Sequence, residues 1–150
     1  MSLKKIRNGL FSLIGPIALL IAASGVVSTA AHACEVTISI DVSPNILNIQ
    51  SNSTVLTVHT DIGFNYVNAP TVRIYLGADD PNPIAISWWK ADDCGNFVAK
   101  FSMSDIKAQL GPDDYDKLLT FTMKGETTSG EEFCGEQHIL VANNGPGSRK

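Results

Sequence analysis

From residue 36 onward, apolar and polar residues alternate in short runs, and this alternation limits the fold more than any other feature of the chain. In "EVTISID", Val36, Ile38 and Ile40 stand against Thr37, Ser39 and Asp41. A period of two puts the two sets on opposite faces of an extended strand, so that one face can be buried while the other meets water. The same habit, with β-branched and aromatic residues, marks "STVLTVHT", "TVRIYLG", "PIAISWW", "NFVAKFSM", "KLLTFTMKG" and "QHILVA". In "LTFTM" it assigns Leu119, Phe121 and Met123 to the interior and Thr120 and Thr122 to the outer face. Turn-forming stretches separate the runs: "SPN", "QSNS", "GADDPNP", "DDCGN", "GPDD" and "TTSGEE". Only "SMSDIKAQL" predicts a helix, of one or two turns, capped by Ser104 with Ile106 and Leu110 on one face. The expectation is all-β: an Ig-like antiparallel β-sandwich of about seven strands with one short helix, because a parallel α/β fold would need helices between its strands.

A different kind of segment comes first. "MSLKKIRNG" carries Lys4, Lys5 and Arg7 and no acid; "LFSLIGPIALLIAASGVV" is apolar; "STAAHA" is small. A basic, an apolar and a small-residue region in that order predict a signal peptide over residues 1–33, cleaved between Ala33 and Cys34. Gly15-Pro16 and Gly25 interrupt the apolar run and argue against a membrane span. The expected organisation is a signal peptide (1–33), a sandwich domain (34–142) and a flexible polar tail (143–150). The expected location is secreted, periplasmic or cell-surface, with no membrane association after cleavage.

All fifteen Asp and Glu follow residue 33, whereas three of the eleven Lys and Arg precede it, so the exported part carries a formal charge of −7. An acidic body lacks the basic footprint that nucleic acid requires, and it does not dock on anionic lipid. Catalytic constellations are also missing. His59 and His138 fall within strand patterns, short of the three or four clustered ligands zinc demands. No G-x-S-x-G elbow accompanies the Ser, His and Asp residues. Asp113, Asp114 and Asp116 read as a solvated turn. The chain is therefore expected not to be an enzyme.

Three cysteines, Cys34, Cys94 and Cys134, allow three pairings, and the residues alone leave them open. Cys34 has three candidate fates: an intermolecular bond, an intramolecular bond, or lipid attachment. The last is disfavoured by Ala31 and His32 before it.

Beyond the alternation, "ISIDVSPNILNIQSNSTVLTVHT", "APTVRIYLG", "VAKFSMSDIKAQL" and "LLTFTMKGETTSGEEFCGEQHILV" resemble successive segments of a β-sandwich module of secreted and surface proteins of environmental bacteria. That module opens roughly I-D-I-x-P…N-x-x-S. It continues through S-T-V-R-L and V-K-F strands to a hairpin like G-E-L-T-D-G-T-P-F-E-G-S-D. The resemblance runs over residues 36 to 141 and implies a binding or architectural role without catalysis. Where the module carries an acidic D-x-D-G-D-G-like loop, this chain reads "KADDCGNF". Asp92, Asp93 and Asn96 are what remains of a weak Ca²⁺ site, set against the six to eight oxygens Ca²⁺ takes; no other cofactor is implied. The resemblance puts Cys94 in that loop and Cys134 at the Glu of F-E-G-S-D, which implies a Cys94–Cys134 disulfide. Cys34 is then left as an intermolecular thiol.

In "ISWWK", Trp88 and Trp89 must point to opposite faces of a strand, so one is expected inside and the other exposed. Two functions follow as expectations. The first is a non-catalytic module with a structural, adhesive or assembly role, joined to itself or to another surface or extracellular protein. The second is a small-ligand binder that stacks carbohydrate on an exposed Trp beside Asp-rich loops.

Overall fold

The computed structural model describes residues 34–77 and 80–145. The predicted signal peptide and the last five residues of the predicted tail lie outside the described residues. Among the described residues the fold is all-β with two packed sheets and one α-helix, as the alternation predicts, but with ten strands rather than about seven. They are β1 (Val36–Thr37), β2 (Ile40–Ser43), β3 (Ile46–Asn48), β4 (Val55–Gly63), β5 (Val67–Leu76), β6 (Ile84–Ala85), β7 (Trp88–Ala91), β8 (Asn96–Ser102), β9 (Lys117–Thr127) and β10 (Glu132–Ala142). The helix, α1 (Met103–Gln109), follows β8.

The first sheet runs β1-β10-β9-β5-β6, with β3 also on β10; the second runs β2-β4-β8-β7. The extra strands come from splitting. "EVTISID" reads as one strand, yet its first part joins one sheet and its second part the other. The break is fixed where Ile38 N–H donates to Cys134 C=O (2.8 Å) and Ser39 N–H to the Asp61 carboxylate (2.9 Å). The sandwich is not wholly antiparallel: β1 and β3 both lie parallel to β10. The first and last segments of the domain therefore run side by side in the same direction.

Alternation produces the core as expected. Leu56 and Val58 of β4, and Phe97, Ala99 and Phe101 of β8, meet Val72, Ile74, Phe121, Met123, Phe133 and Ile139 of the opposite sheet, all buried. Each such large side chain contributes roughly 1.5–3 kcal/mol of transfer free energy. Leu119 is only partly buried but packs on this cluster, and Thr122, on the outer face, is covered and donates to Glu136. Two glycines make room. A Cβ on Gly125 would come 2.7 Å from the Phe133 ring, and one on Gly135 would stand 2.7 Å from Ile40 Cγ2 and 2.8 Å from the Ile38 carbonyl oxygen. The helix cap lies two residues before the expected Ser104: Ser102 Oγ accepts from Asp105 N–H, and Ser104 Oγ lies 2.7 Å from it. The start of the predicted tail is anchored, because Gln50 donates to the Asn143 side chain (2.9 Å) and Asn48 to the Asn144 carbonyl (3.1 Å).

Candidate functional site

The disulfide differs from the expectation. Cys34 pairs with Cys134, with Cα atoms 5.8 Å apart, and Cys94 is free and exposed. Strand order is the reason. Cys134 lies in β10 opposite Thr37 of β1, which brings the Cys34 end of the chain alongside it. Cys94 sits in the β7–β8 turn, on the far edge of the other sheet. Cys34 is thus an intramolecular partner rather than an intermolecular thiol. A sulfur held in that bridge cannot at the same time carry a thioether-linked lipid.

The Asp-rich loops serve turns. One Asp92 oxygen accepts from the N–H groups of both Cys94 (2.9 Å) and Asn96 (2.8 Å), with Gly95 at a φ of 82° completing the β7–β8 reversal. Asp80 uses both carboxylate oxygens for a similar purpose, one accepting from Leu76 N–H (2.9 Å) and the other from Asn82 N–H (2.8 Å). Such short-range carboxylate bonds stabilise a turn without any ion. Among the described residues no group of three or more His, Cys, Asp and Glu could hold a metal ion. Asp92, Asp93 and Asn96 are placed by the structure at a hairpin tip. His59 and His138 lie on different sheets, and the His138 ring meets Thr120 Oγ1 (3.3 Å).

The tryptophans lie on an exposed edge strand. All four residues of β7 are exposed. Trp88 pairs with Lys100 and Trp89 with Ala99. Ala99 belongs to the core, so Trp88 faces outward and Trp89 faces the space between the sheets, as alternation requires. Neither is interior, however: Trp88 is 48% exposed and Trp89 39%. Because β7 is an edge strand, its inward side looks out of the sandwich's open mouth instead of into its centre. The outer face of Trp88 is partly occupied by Lys100, whose Nζ lies 4.9 Å from the ring centroid.

The mouth has a defined shape. The chain passes from the first sheet to the second through Ile86, whose N–H donates to Val72 C=O, and Ser87, whose N–H donates to Lys100 C=O. That crossing closes one half of the gap. The other half, between Val67–Pro70 of β5 and Trp89 of β7, stays open as a cleft of about 370 Å³. Phe64 and Phe97, stacked with centroids 6.1 Å apart, lie beneath it. Asn65, Asn68 and Thr128 add polar groups, and none of the lining side chains is charged.

Among the described residues no strand pairs with the outer side of β7. Asp92 N–H donates to Asn96 C=O (2.9 Å). The antiparallel alternation then turns the backbone groups of Lys90 and Trp88 toward β8, and those of Trp89 and Ala91 to the open side. The opposite edge of this sheet is less accessible, since the Gln137 side chain of β10 accepts from Val42 N–H of β2 at 2.7 Å. Among the described residues no helix is long and apolar enough to cross a membrane. No known protein family, curated protein or solved structure matches the chain.

Proposed function

We propose that this chain is an exported, non-catalytic β-sandwich module that works outside the cytoplasm by assembly: a strand of another copy, or of another surface protein, adds to the edge of β7. The observation that carries this reading is the open β7 edge, with the N–H and C=O groups of Trp89 and Ala91 directed away from the sheet. Unpaired edge groups are a template for strand addition, in which main-chain bonds supply affinity and neighbouring side chains supply selectivity. The two tryptophans flank that edge on opposite faces and would be buried by an incoming strand, in the manner of interface anchors. Export is supported by the basic-apolar-small leader and by a disulfide, which persists in oxidising compartments.

Hydrogen exchange of the mature protein over a concentration series tests the assembly. The expected result is that the Trp89 and Ala91 amides become protected as the molecule associates, while Ala91→Pro, which removes one edge donor without touching β8, abolishes both effects. A chain that stays monomeric, with no protein cross-linked to β7 on the cells that export it, would refute the reading. Intact mass of the exported material tests the leader, with Cys34 as the expected first residue.

A further inference from the structure

We infer that the cleft at the mouth of the sandwich is a binding site for an uncharged sugar ring, with Trp89 as the stacking platform and Asn65 and Asn68 as its hydrogen-bonding rim. The inference is separate from strand addition: that process uses the backbone of Trp89, and this one its indole ring.

Four observations fix the ligand class. The size comes first: about 370 Å³ is near the lower limit of ligand pockets and suits a single pyranose better than an extended ligand. The second is charge. The exported part is strongly acidic, yet no charged side chain lines this cleft, so it offers a charged ligand no counter-charge. The third is the polar chemistry. The side-chain amides of Asn65 and Asn68 each carry donors and an acceptor, and neither has a partner among the described residues. Vicinal sugar hydroxyls are likewise both donors and acceptors, and a purely apolar occupant would strip these amides of water without replacing the bonds. The fourth is the platform. Trp89 is 39% exposed, with the partly exposed Phe64 and Pro70 lining the same cleft above the buried Phe97. A pyranose has an apolar face of C–H groups and a belt of hydroxyls. It can therefore lie on the aromatic wall while its edge meets the amides.

The other candidate sites are weaker. The groove over the first sheet holds Arg73 and Lys124. One Arg73 guanidinium nitrogen, Nη1, donates to the carbonyls of Pro70 and Val72 (2.8 Å each), and Lys124 lies over the Tyr75 ring. Cys94 is a solitary thiol at a hairpin tip.

With only two tryptophans, the indole N–H resonances of the mature protein provide a direct readout, assigned with Trp88→Phe and Trp89→Phe. The probes are the methyl glycosides of glucose, galactose, mannose and N-acetylglucosamine, with glucuronate and cyclohexanol as charged and apolar controls. The expected result is a saturable shift of the Trp89 signal with at least one neutral glycoside and little change at Trp88. Asn65→Ala or Asn68→Ala should weaken binding about tenfold, while Ala91→Pro should leave it unchanged. Three results would overturn the inference. These are no saturable shift with any glycoside up to the solubility limit, an equal response to cyclohexanol, and binding that survives loss of both amides. Because the Asn variants are surface changes, retained indole dispersion shows that they have folded.

Discussion

Removing the Cys34–Cys134 bridge provides the sharpest test of how this domain is held together. The bridge closes a loop with a sequence separation of 100 residues. In the chain-entropy model, a loop of about 100 residues restricts the unfolded state by about 4.7 kcal/mol at room temperature. A domain of this size is stable by about 5–15 kcal/mol in total, so the bridge accounts for roughly 30% or more of the margin. Little on the native side changes when it is cut. Ile38 still donates to Cys134 C=O, Glu132 N–H to the Glu35 carboxylate (3.0 Å), and Val36 still pairs with Phe133. The variant to make is therefore Cys34→Ala with Cys134→Ala, in a Cys94→Ser background so that no thiol can reshuffle. Urea unfolding followed by tryptophan fluorescence suits the measurement, because both indoles lie on β7, on the sheet that does not contain Cys134. With a urea slope of about 2 kcal/mol/M, the midpoint should fall by roughly 2 M, and the slope should rise as the unfolded chain expands. A midpoint within about 0.5 M of the bridged protein, at unchanged slope, would refute the argument. So would a comparable loss from Cys94→Ser alone, which would show that Cys94 is in the bridge.

Three further outcomes follow from the fold. The folded, unreduced protein should react with a thiol reagent at one site, Cys94, and mass spectrometry of the labelled peptide checks which cysteine carries the adduct. Gly135→Ala should destabilise by about 1–3 kcal/mol, because the new methyl group must displace the Ile38 carbonyl as well as the Ile40 side chain; thermal unfolding against wild type measures it. Thr60→Val keeps the shape of a buried side chain but removes the 2.6 Å bond from its hydroxyl to the Phe97 carbonyl. The stranded carbonyl should cost about 1–3 kcal/mol in the same assay.

What could be read from the residues was whatever repeats. Leu56 and Val58, Phe97, Ala99 and Phe101, and Phe121 and Met123 all point inward as alternation requires, since each lies in a strand long enough to show a period. Strands of two to four residues show none. The step from β1 to β2 takes place inside an unbroken alternation, and the bonds that fix it come from Cys134 and Asp61, far along the chain. The cysteine pairing failed for the same reason. A register between β1 and β10 decides it, and nothing near Cys34 or Cys94 in sequence announces that register. The tryptophans were half legible. Their opposite directions follow from extended geometry, but the exposure of Trp89 depends on β7 having no neighbour on one side. The cleft also needs Asn65, in the turn between β4 and β5, and Asn68, near the start of β5, and neither carried a signal before folding brought them to Trp89.

The parallel placement of β1 on β10, locked by sulfur, has a mechanical consequence. The chain enters at one end of β10 and leaves it at the other, after Ala142, so the two exits lie about 30 Å apart along a single strand. A pull applied between those exits travels from Cys34 through the sulfur bond to Cys134 and straight along the last strand. The residues between the two cysteines, including the helix, the open mouth and the β7 edge, are bypassed by that covalent path and cannot be drawn out. Tension on the ends would peel the final strand and leave the greater part of both sheets outside the line of force.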